Sequence, residues 1–144
     1  MANNPHILVV DAPYYTEISA SLMEGVKEVF DREGASYDYV KVPGVLEIPA
    51  AVSIAVCSDK NYDGYVVIGC VIRGETTHYD IVANESARAL MDLTVEHCLA
   101  LGNGIQTVEN EAQAWARAKK SEKNKGGGAA QAVLDMISLK ASLG

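Results

Sequence analysis

The apolar residues of this chain recur with two different periods, which alternate along the sequence. Compact runs of valine, isoleucine and leucine at residues 6–10 and 65–70 are typical of buried strands. Weak alternation at residues 37–42 and a short apolar run at residues 105–108 indicate two further strands. The pattern therefore predicts four short strands, each separated from the next by a longer segment.

The longer segments carry the apolar spacing of helices. Helices are predicted over residues 16–33, from Pro49, over residues 77–100, from Asn110, and after the glycines at 126–128. Gly34 ends the first of them, and residues 101–104 are expected to form a loop that closes the third. Gln113, three residues after Asn110, is expected to act as its capping partner.

Alternating strands and helices of this length predict parallel strand pairing. We expect one domain over residues 1–144, an α/β chain folded as a flavodoxin-like three-layer α/β/α sandwich with a four-stranded parallel sheet. Ligands of such sheets bind outside the carboxyl ends of the strands. This rule selects three loops, at residues 11–15, 43–49 and 70–78, as the expected walls of a binding site.

The third loop contains most of the residues suited to binding an anion and moving a proton. Arg73 and Gly74 form a turn after a buried strand, and Thr76 and Thr77 can cap the next helix. Backbone N–H groups and the helix dipole there favour a bound anion, and His78 is expected one turn into the helix as an acid or base. The alternative interpretation of this loop is an ordinary turn with a surface histidine.

The other two loops add groups that recognise a ligand. Tyr14 or Tyr15 can stack on a planar ring, and Glu47 can accept hydrogen bonds from ligand hydroxyl or amine groups. An aromatic ring, a carboxylate and an anion site at one edge of the sheet favour a functional pocket over the alternative.

Composition narrows the classes of partner. The net charge of −7 argues against non-specific nucleic-acid binding, and the apolar runs are too short to cross a membrane. The 3 cysteines and 3 histidines lack metal-ligand spacing, so we expect reduced thiols, as in a cytoplasmic protein, and no metal. The first five residues have neither a basic nor a hydrophobic region, so we expect no signal peptide. Basic residues cluster near the last helix, either as a solvated helix end or as an anion-facing patch, at Arg117, Lys119, Lys120, Lys123 and Lys125.

Three separated stretches carry a resemblance to a known family. These are VPGVLEIP at residues 42–49, GCVIRGETTHYD at residues 69–80 and TVENEAQA at residues 107–114. Together they resemble the 6,7-dimethyl-8-ribityllumazine synthase family of riboflavin biosynthesis. The resemblance implies condensation of 5-amino-6-(D-ribitylamino)uracil with 3,4-dihydroxy-2-butanone 4-phosphate, with release of phosphate and water. It also implies that neither a metal nor an organic cofactor is used.

The same resemblance implies a role for individual residues. Substrate-binding positions are Tyr14, Val45, Leu46, Glu47, Cys70, Val71, Ile72, Glu75, Thr76, Asn103, Arg117 and Lys125. His78 matches the proton-transfer histidine, and Arg117 matches an arginine that reaches the substrate phosphate of a neighbouring subunit. Cys70 stands where threonine is frequent, so we interpret it as a wall of the pocket.

Some residues depart from the family pattern. Asn103 replaces an aromatic residue common at the subunit interface, and Glu75 places a carboxylate beside the phosphate site, so we expect it to point away or to pair with a cation. The sequence before Lys125 lacks the small residues of members that form icosahedral shells. The resemblance therefore implies a homo-oligomer with shared active sites, expected to be a pentamer, with a decamer left open.

Two other classes of function compete with the enzyme. A binding module would keep the pocket but only hold a lumazine or flavin, and a carrier assembly would retain the oligomer with vestigial catalysis. Glu47, His78 and Arg117 together favour the enzyme, because passive flavin binding does not need a phosphate-binding arginine beside a histidine.

Overall fold

A computed structural model describes residues 4–144. Its sheet contains β1 (His6–Ala12), β2 (Ser36–Lys41), β3 (Gly64–Ile72) and β4 (Leu101–Val108). All neighbouring strands pair in parallel, in the order β2-β1-β3-β4. The two strands with the strongest apolar runs, β1 and β3, therefore lie at the centre. The weakly patterned β2 lies at an edge, where its side chains are half-buried or exposed.

The described part of the chain contains five α-helices, of which the first three connect the strands and the last two follow β4. They are α1 (Thr16–Glu33), α2 (Ile48–Val56), α3 (His78–Glu96), α4 (Glu111–Ala118) and α5 (Lys125–Leu143). A 3-10 turn, Val45–Glu47, precedes α2. None of the helices in the described part of the chain combines the length and apolar character that a membrane crossing needs.

Alternate residues of β1 enter two separate cores, one on each face of the sheet. Ile7 and Val9 pack with the apolar faces of α1 and α5, whereas Leu8 and Val10 pack with those of α2 and α3. Because side chains of a strand point alternately to opposite faces, an almost continuous apolar run serves both cores. The predicted three-layer sandwich around a four-stranded parallel sheet is confirmed.

The prediction for residues 101–104 was wrong. The third helix ends at Glu96, not at residue 100, and Leu101 already begins β4. The glycine there serves packing: a Cβ on Gly102 would lie 2.0 Å from the carbonyl oxygen of Ala129. Glycine therefore lets α5 approach the strand, which a local reading of Leu-Gly-Asn-Gly as a turn does not reveal.

The three glycines at 126–128 also differ from the prediction, because they lie inside α5. Asn124 caps this helix, with its side-chain oxygen accepting from the N–H of Gly127 at 3.2 Å. A Cβ on Gly126 would lie 2.0 Å from the carbonyl oxygen of Leu22 in α1. Gly126 thus allows α1 and α5 to pack backbone to backbone.

The predicted cap of the fourth helix is confirmed. The side chain of Asn110 accepts from the N–H of Gln113 at 2.9 Å, and the Gln113 side chain accepts from the N–H of Glu109 at 2.8 Å. The first bond satisfies an N–H group that the start of a helix leaves without an internal partner, and the second ties the residue before the N-cap to the helix. They fix α4 directly after β4.

Candidate active site

A cavity of about 450 Å³ opens at the carboxyl edge of the sheet. All three loops selected from the sequence contribute to it. Its lining residues are Tyr14, Tyr15, Gly44, Val45, Leu46, Glu47, Cys70, Val71, Ile72, His78 and Val82. Eight residues predicted for the site are thus brought together at one place: Tyr14, Val45, Leu46, Glu47, Cys70, Val71, Ile72 and His78.

The loop between β1 and α1 places an aromatic ring at the mouth of the cavity. Tyr14 is 74% exposed, and its ring and that of Tyr15 pack edge to face at a centroid distance of 4.9 Å. The backbone carbonyl of Tyr15 accepts from the N–H of Ser19 at 2.9 Å, so the loop is tied to the first turn of α1. An exposed ring on an anchored loop can stack on a planar ligand.

A buried carboxylate below this loop was not predicted. Asp11, 2% exposed, accepts hydrogen bonds from the hydroxyl groups of Ser19 in α1 and Tyr39 in β2. Burial, and then the bond to Asp11, raise the pKa of the Tyr39 phenol. Because its carbonyl also accepts from the N–H of Val42, Asp11 anchors both loops on this side of the cavity.

The loop between β2 and α2 supplies an apolar wall and a carboxylate. Val45 is buried, whereas Leu46 and Glu47 are exposed along the cavity. The N–H of Glu47 donates to the carbonyl of Gly44 at 3.1 Å, which closes the 3-10 turn. Pro49 follows within the first turn of α2. The Glu47 carboxylate can therefore accept from a ligand while its backbone is held in the turn.

The end of β3 forms the floor of the cavity. Cys70 is 6% exposed, and burial raises the pKa of its thiol to about 11. A thiol that stays protonated at neutral pH is a poor nucleophile, so Cys70 acts as a wall. Val71 and Ile72, half-buried, continue the apolar surface toward the loop.

His78 lies at the start of α3, not one turn into it as predicted. It is the first residue of the helix, and its N–H donates to the hydroxyl oxygen of Thr76 at 3.2 Å. Thr77 occupies the N-cap without a side-chain capping bond. The exposed Glu75 and Thr76 lie in the loop between two lining residues and do not themselves line the cavity. His78 therefore lines the cavity at the N-terminus of a helix.

Three predicted residues lie away from this cavity. The side-chain oxygen of Asn103 accepts from the N–H of Ile105 at 2.9 Å on the edge strand β4, and Asn103 lines a second cavity of about 300 Å³ against α3. Arg117 donates from Nη1 to the carbonyl of Gln113 at 3.0 Å. Lys125 is the exposed first residue of α5. The chain alone does not bring these residues to the cavity.

Two lining residues were missed in the sequence. Gly44 lies in a loop that had been selected, but its role as a wall was not predicted. Val82 follows His78 by four residues, and helical side chains four positions apart lie on the same face. That spacing was a usable signal for Val82.

The remaining basic residues near α4 contact other parts of the surface. Lys120 pairs with Glu28 of α1 at 3.2 Å, and the ammonium group of Lys119 lies 5.8 Å from the centre of the Trp115 ring. Lys123 is exposed. Across residues 4–144, no three His, Cys, Asp or Glu side chains converge as a metal site would require. Cys57, Cys70 and Cys98 are free thiols.

The fold and cavity define an α/β protein with a small-molecule site at the carboxyl edge of its sheet. A model of the 6,7-dimethyl-8-ribityllumazine synthase family matches residues 4–141. Proteins with that name are similar over nearly their full length. The one from Bartonella tribocorum is 58% identical over 144 residues, which covers 100% of this chain and 95% of that protein. The one from Agrobacterium fabrum is 54% identical over 146 residues, covering 99% of both chains. This chain therefore belongs to the 6,7-dimethyl-8-ribityllumazine synthase family.

Proposed function

We propose that this protein forms 6,7-dimethyl-8-ribityllumazine in riboflavin biosynthesis. It condenses 5-amino-6-(D-ribitylamino)uracil with 3,4-dihydroxy-2-butanone 4-phosphate and releases phosphate and water. The observation that carries the proposal is the cavity itself, where an exposed tyrosine, a carboxylate and a histidine at a helix N-terminus surround an apolar floor.

The pyrimidine lies on the apolar floor of the cavity. Tyr14 stacks on the ring, and Glu47 accepts hydrogen bonds from the hydroxyl groups of the ribityl chain. Cys70 contributes a protonated, apolar surface. The amine of the pyrimidine substrate is the nucleophile, so the protein itself need not supply one. Its contribution to the rate is to hold two substrates within reach of each other.

The phosphate of the second substrate lies at the start of α3. Backbone N–H groups of the loop containing Glu75 and Thr76, together with the positive end of the helix dipole, favour an anion there. The substrate amine attacks the ketone carbonyl, and loss of water gives an imine. Elimination then releases phosphate and leaves an enol, which tautomerises to a second carbonyl group. The ribitylamino nitrogen attacks this carbonyl, and the second ring closes with loss of a second water. His78 moves protons during these steps.

A neighbouring subunit completes the site. Arg117 pairs with the substrate phosphate through its two-pronged guanidinium, with Lys125 beside it, and Asn103 contacts the pyrimidine side. Two observations support this sharing. Arg117 and Asn103 do not line the cavity of their own chain, and α3 exposes large apolar side chains, Ile81, Met91 and Val95, that a partner can cover. We propose a pentamer, as the family resemblance implies, and a cytoplasmic location, which free thiols support.

The role of His78 is tested by replacing it. We expect His78→Ala to lower kcat about 10² to 10⁴-fold, because a positioned acid or base contributes a factor of that size. His97→Ala is the matched control, since His97 follows the last turn of α3 and lies outside the cavity lining. Product is followed by lumazine absorbance and fluorescence. Equal losses in both variants, or no loss in His78→Ala, would contradict the role of His78.

Site sharing is tested by mixing two inactive variants. His78→Ala and Arg117→Ala subunits are dissociated together and reassembled, so that some sites combine an intact His78 with an intact Arg117 from a neighbour. Partial recovery of activity is expected. Complete absence of recovery, with the same native mass as the wild type, would contradict sharing. Native mass spectrometry of the wild type counts the subunits and tests the pentamer.

A further inference from the structure

The side chain of Arg73 contacts three different residues around the loop that ends at His78. Its Nε donates to Glu109 at 2.9 Å, and its Nη2 donates to Asp80 at 3.4 Å. Its guanidinium carbon lies 4.2 Å from the centre of the Tyr79 ring. Its own backbone N–H donates to the carbonyl of Val108 at 2.9 Å. These bonds join the ends of β3 and β4 to the first turn of α3.

The contacts close the loop at both ends. Arg73 is the first residue after β3, and Tyr79 and Asp80 directly follow His78 in α3. The guanidinium of Arg73 therefore joins the two ends of the segment from residue 73 to residue 80. The bond from Arg73 to Glu109 attaches this segment to the turn between β4 and α4. That turn is stabilised by the bond from the Glu109 N–H to the side-chain oxygen of Gln113 at 2.8 Å. The contacts of the Arg73 side chain with Tyr79, Asp80 and Glu109, called the clasp from here on, thus tie the first turn of α3 to the ends of β3 and β4.

The same geometry argues against Arg73 as a direct phosphate ligand. One face of the guanidinium lies on an aromatic ring, and two of its nitrogens contact carboxylates. The two carboxylates more than balance its single positive charge. A phosphate placed there would meet net negative charge from Asp80 and Glu109.

We infer that Arg73 is a positioning residue that holds His78 at the cavity through its contacts with Asp80, Tyr79 and Glu109. It contacts neither substrate, and it acts by fixing the α3 turn on which His78 lies. A proton-transfer group must stay within hydrogen-bond reach of the reacting atoms, so a small displacement of this turn lowers the rate of the chemical steps. This inference rests on the proposed role of His78.

Kinetics of single and double variants test the inference. Removing the clasp in Arg73→Met or Asp80→Asn is expected to lower kcat about 10 to 10²-fold, because displacements near 1 Å cost about that much. The KM of each substrate is expected to change less than about 2-fold. The double variant is expected to be no worse than Arg73→Met, since the two side chains act as one unit. Arg73→Lys retains the charge without the fork and is expected to recover part of kcat.

Arg88→Met is the matched control. Arg88 also contacts two carboxylates, Glu85 at 2.7 Å and Asp92 at 3.0 Å, but all three residues belong to α3 and no loop is bridged. Its kcat is expected to match that of the wild type. A rise in the KM of the phosphate substrate at unchanged kcat in Arg73→Met would instead make Arg73 a phosphate ligand. That result, multiplicative losses in the double variant, or unchanged kcat would overturn the inference.

Amide hydrogen exchange separates this inference from the assignment of the reaction. The N–H groups of His78 and Asp80 are expected to exchange at least about 10-fold faster in Arg73→Met, while those of β1 keep their wild-type rates. If the wild type forms no lumazine, the proposed reaction fails, and exchange still reports on the clasp. Unchanged exchange at both amides would overturn the clasp whatever the activity.

Discussion

The buried carboxylate of Asp11 leads to a sharp prediction for Ser19→Ala. Asp11 is 2% exposed and Ser19 is 3% exposed, and the Ser19 hydroxyl donates to the carboxylate. Removing this hydroxyl leaves the buried Asp11 with the Tyr39 hydroxyl as its remaining side-chain donor within residues 4–144. A buried charge that loses a hydrogen-bond donor is destabilised, so the variant should unfold more readily than the wild type.

The magnitude follows from the kind of bond. A hydrogen bond to a charged group contributes about 1.5–3 kcal/mol, and the better helix propensity of alanine returns about 0.5 kcal/mol within α1. The expected net loss in the free energy of unfolding is therefore about 1–2.5 kcal/mol. With a urea m-value of about 2 kcal/mol/M, the unfolding midpoint falls by about 0.5–1.2 M.

Ser86→Ala provides a matched control. Ser86 is 2% exposed and also lies on a helix, but its hydroxyl donates at 3.3 Å to the carbonyl of Ala83, within its own helix. A weak neutral bond and the propensity gain nearly cancel, so its midpoint should stay within about 0.3 M of the wild type. Urea unfolding of all three proteins at one protein concentration measures both. Equal midpoints for Ser19→Ala and Ser86→Ala would refute the reasoning about Asp11.

Two further predictions concern packing and thiol chemistry. Gly126→Ala should lower the free energy of unfolding by about 1–3 kcal/mol, because the new Cβ meets the backbone of α1. Gly128→Ala should raise it by about 0.5–1 kcal/mol, because the new Cβ meets nothing within 4 Å and alanine favours the helix. Thermal unfolding that ranks the two variants the other way would contradict the packing. At pH 8, iodoacetamide should label Cys57 and Cys98 while the folded protein protects Cys70, because a pKa raised to about 11 leaves about one Cys70 thiol in a thousand ionised. Mass spectrometry of the labelled peptides measures this, and labelling of Cys70 at the rate of the exposed thiols would contradict its burial.

The sequence predicted the cavity because its walls obey a rule that needs no tertiary detail. Parallel strands end at one edge, so loops after three successive strands had to meet there. Tyr14, Glu47 and His78, which come from different loops, indeed line one cavity. The position of His78 was less accurate, because α3 begins at His78 itself, with Thr77 at its N-cap, and not one turn earlier.

Contacts between distant segments could not be predicted in the same way. The Leu-Gly-Asn-Gly sequence before Ile105 is locally a turn, and only the approach of α5 explains its glycines within β4. The glycines at 126–128 were assigned outside α5 for the same reason. Asp11 and Tyr39 are 28 positions apart, so a local pattern does not reveal that they share a buried hydrogen bond.

Arg117 and Asn103 illustrate a further limit of a single chain. Family resemblance implies their roles, but each makes its side-chain bond to a backbone group of its own chain, at Gln113 and Ile105. Their roles therefore depend on how subunits assemble, which hydrophobic periodicity does not encode.

The central claim is that this protein catalyses the condensation and does not only bind its product. The most direct measurement supplies purified wild type with both substrates and determines lumazine and inorganic phosphate together. We predict one lumazine and one phosphate for each butanone phosphate consumed, at a rate well above that without protein, and no lumazine when either substrate is omitted. Tight binding of lumazine or flavin without lumazine formation above the uncatalysed rate would contradict the account.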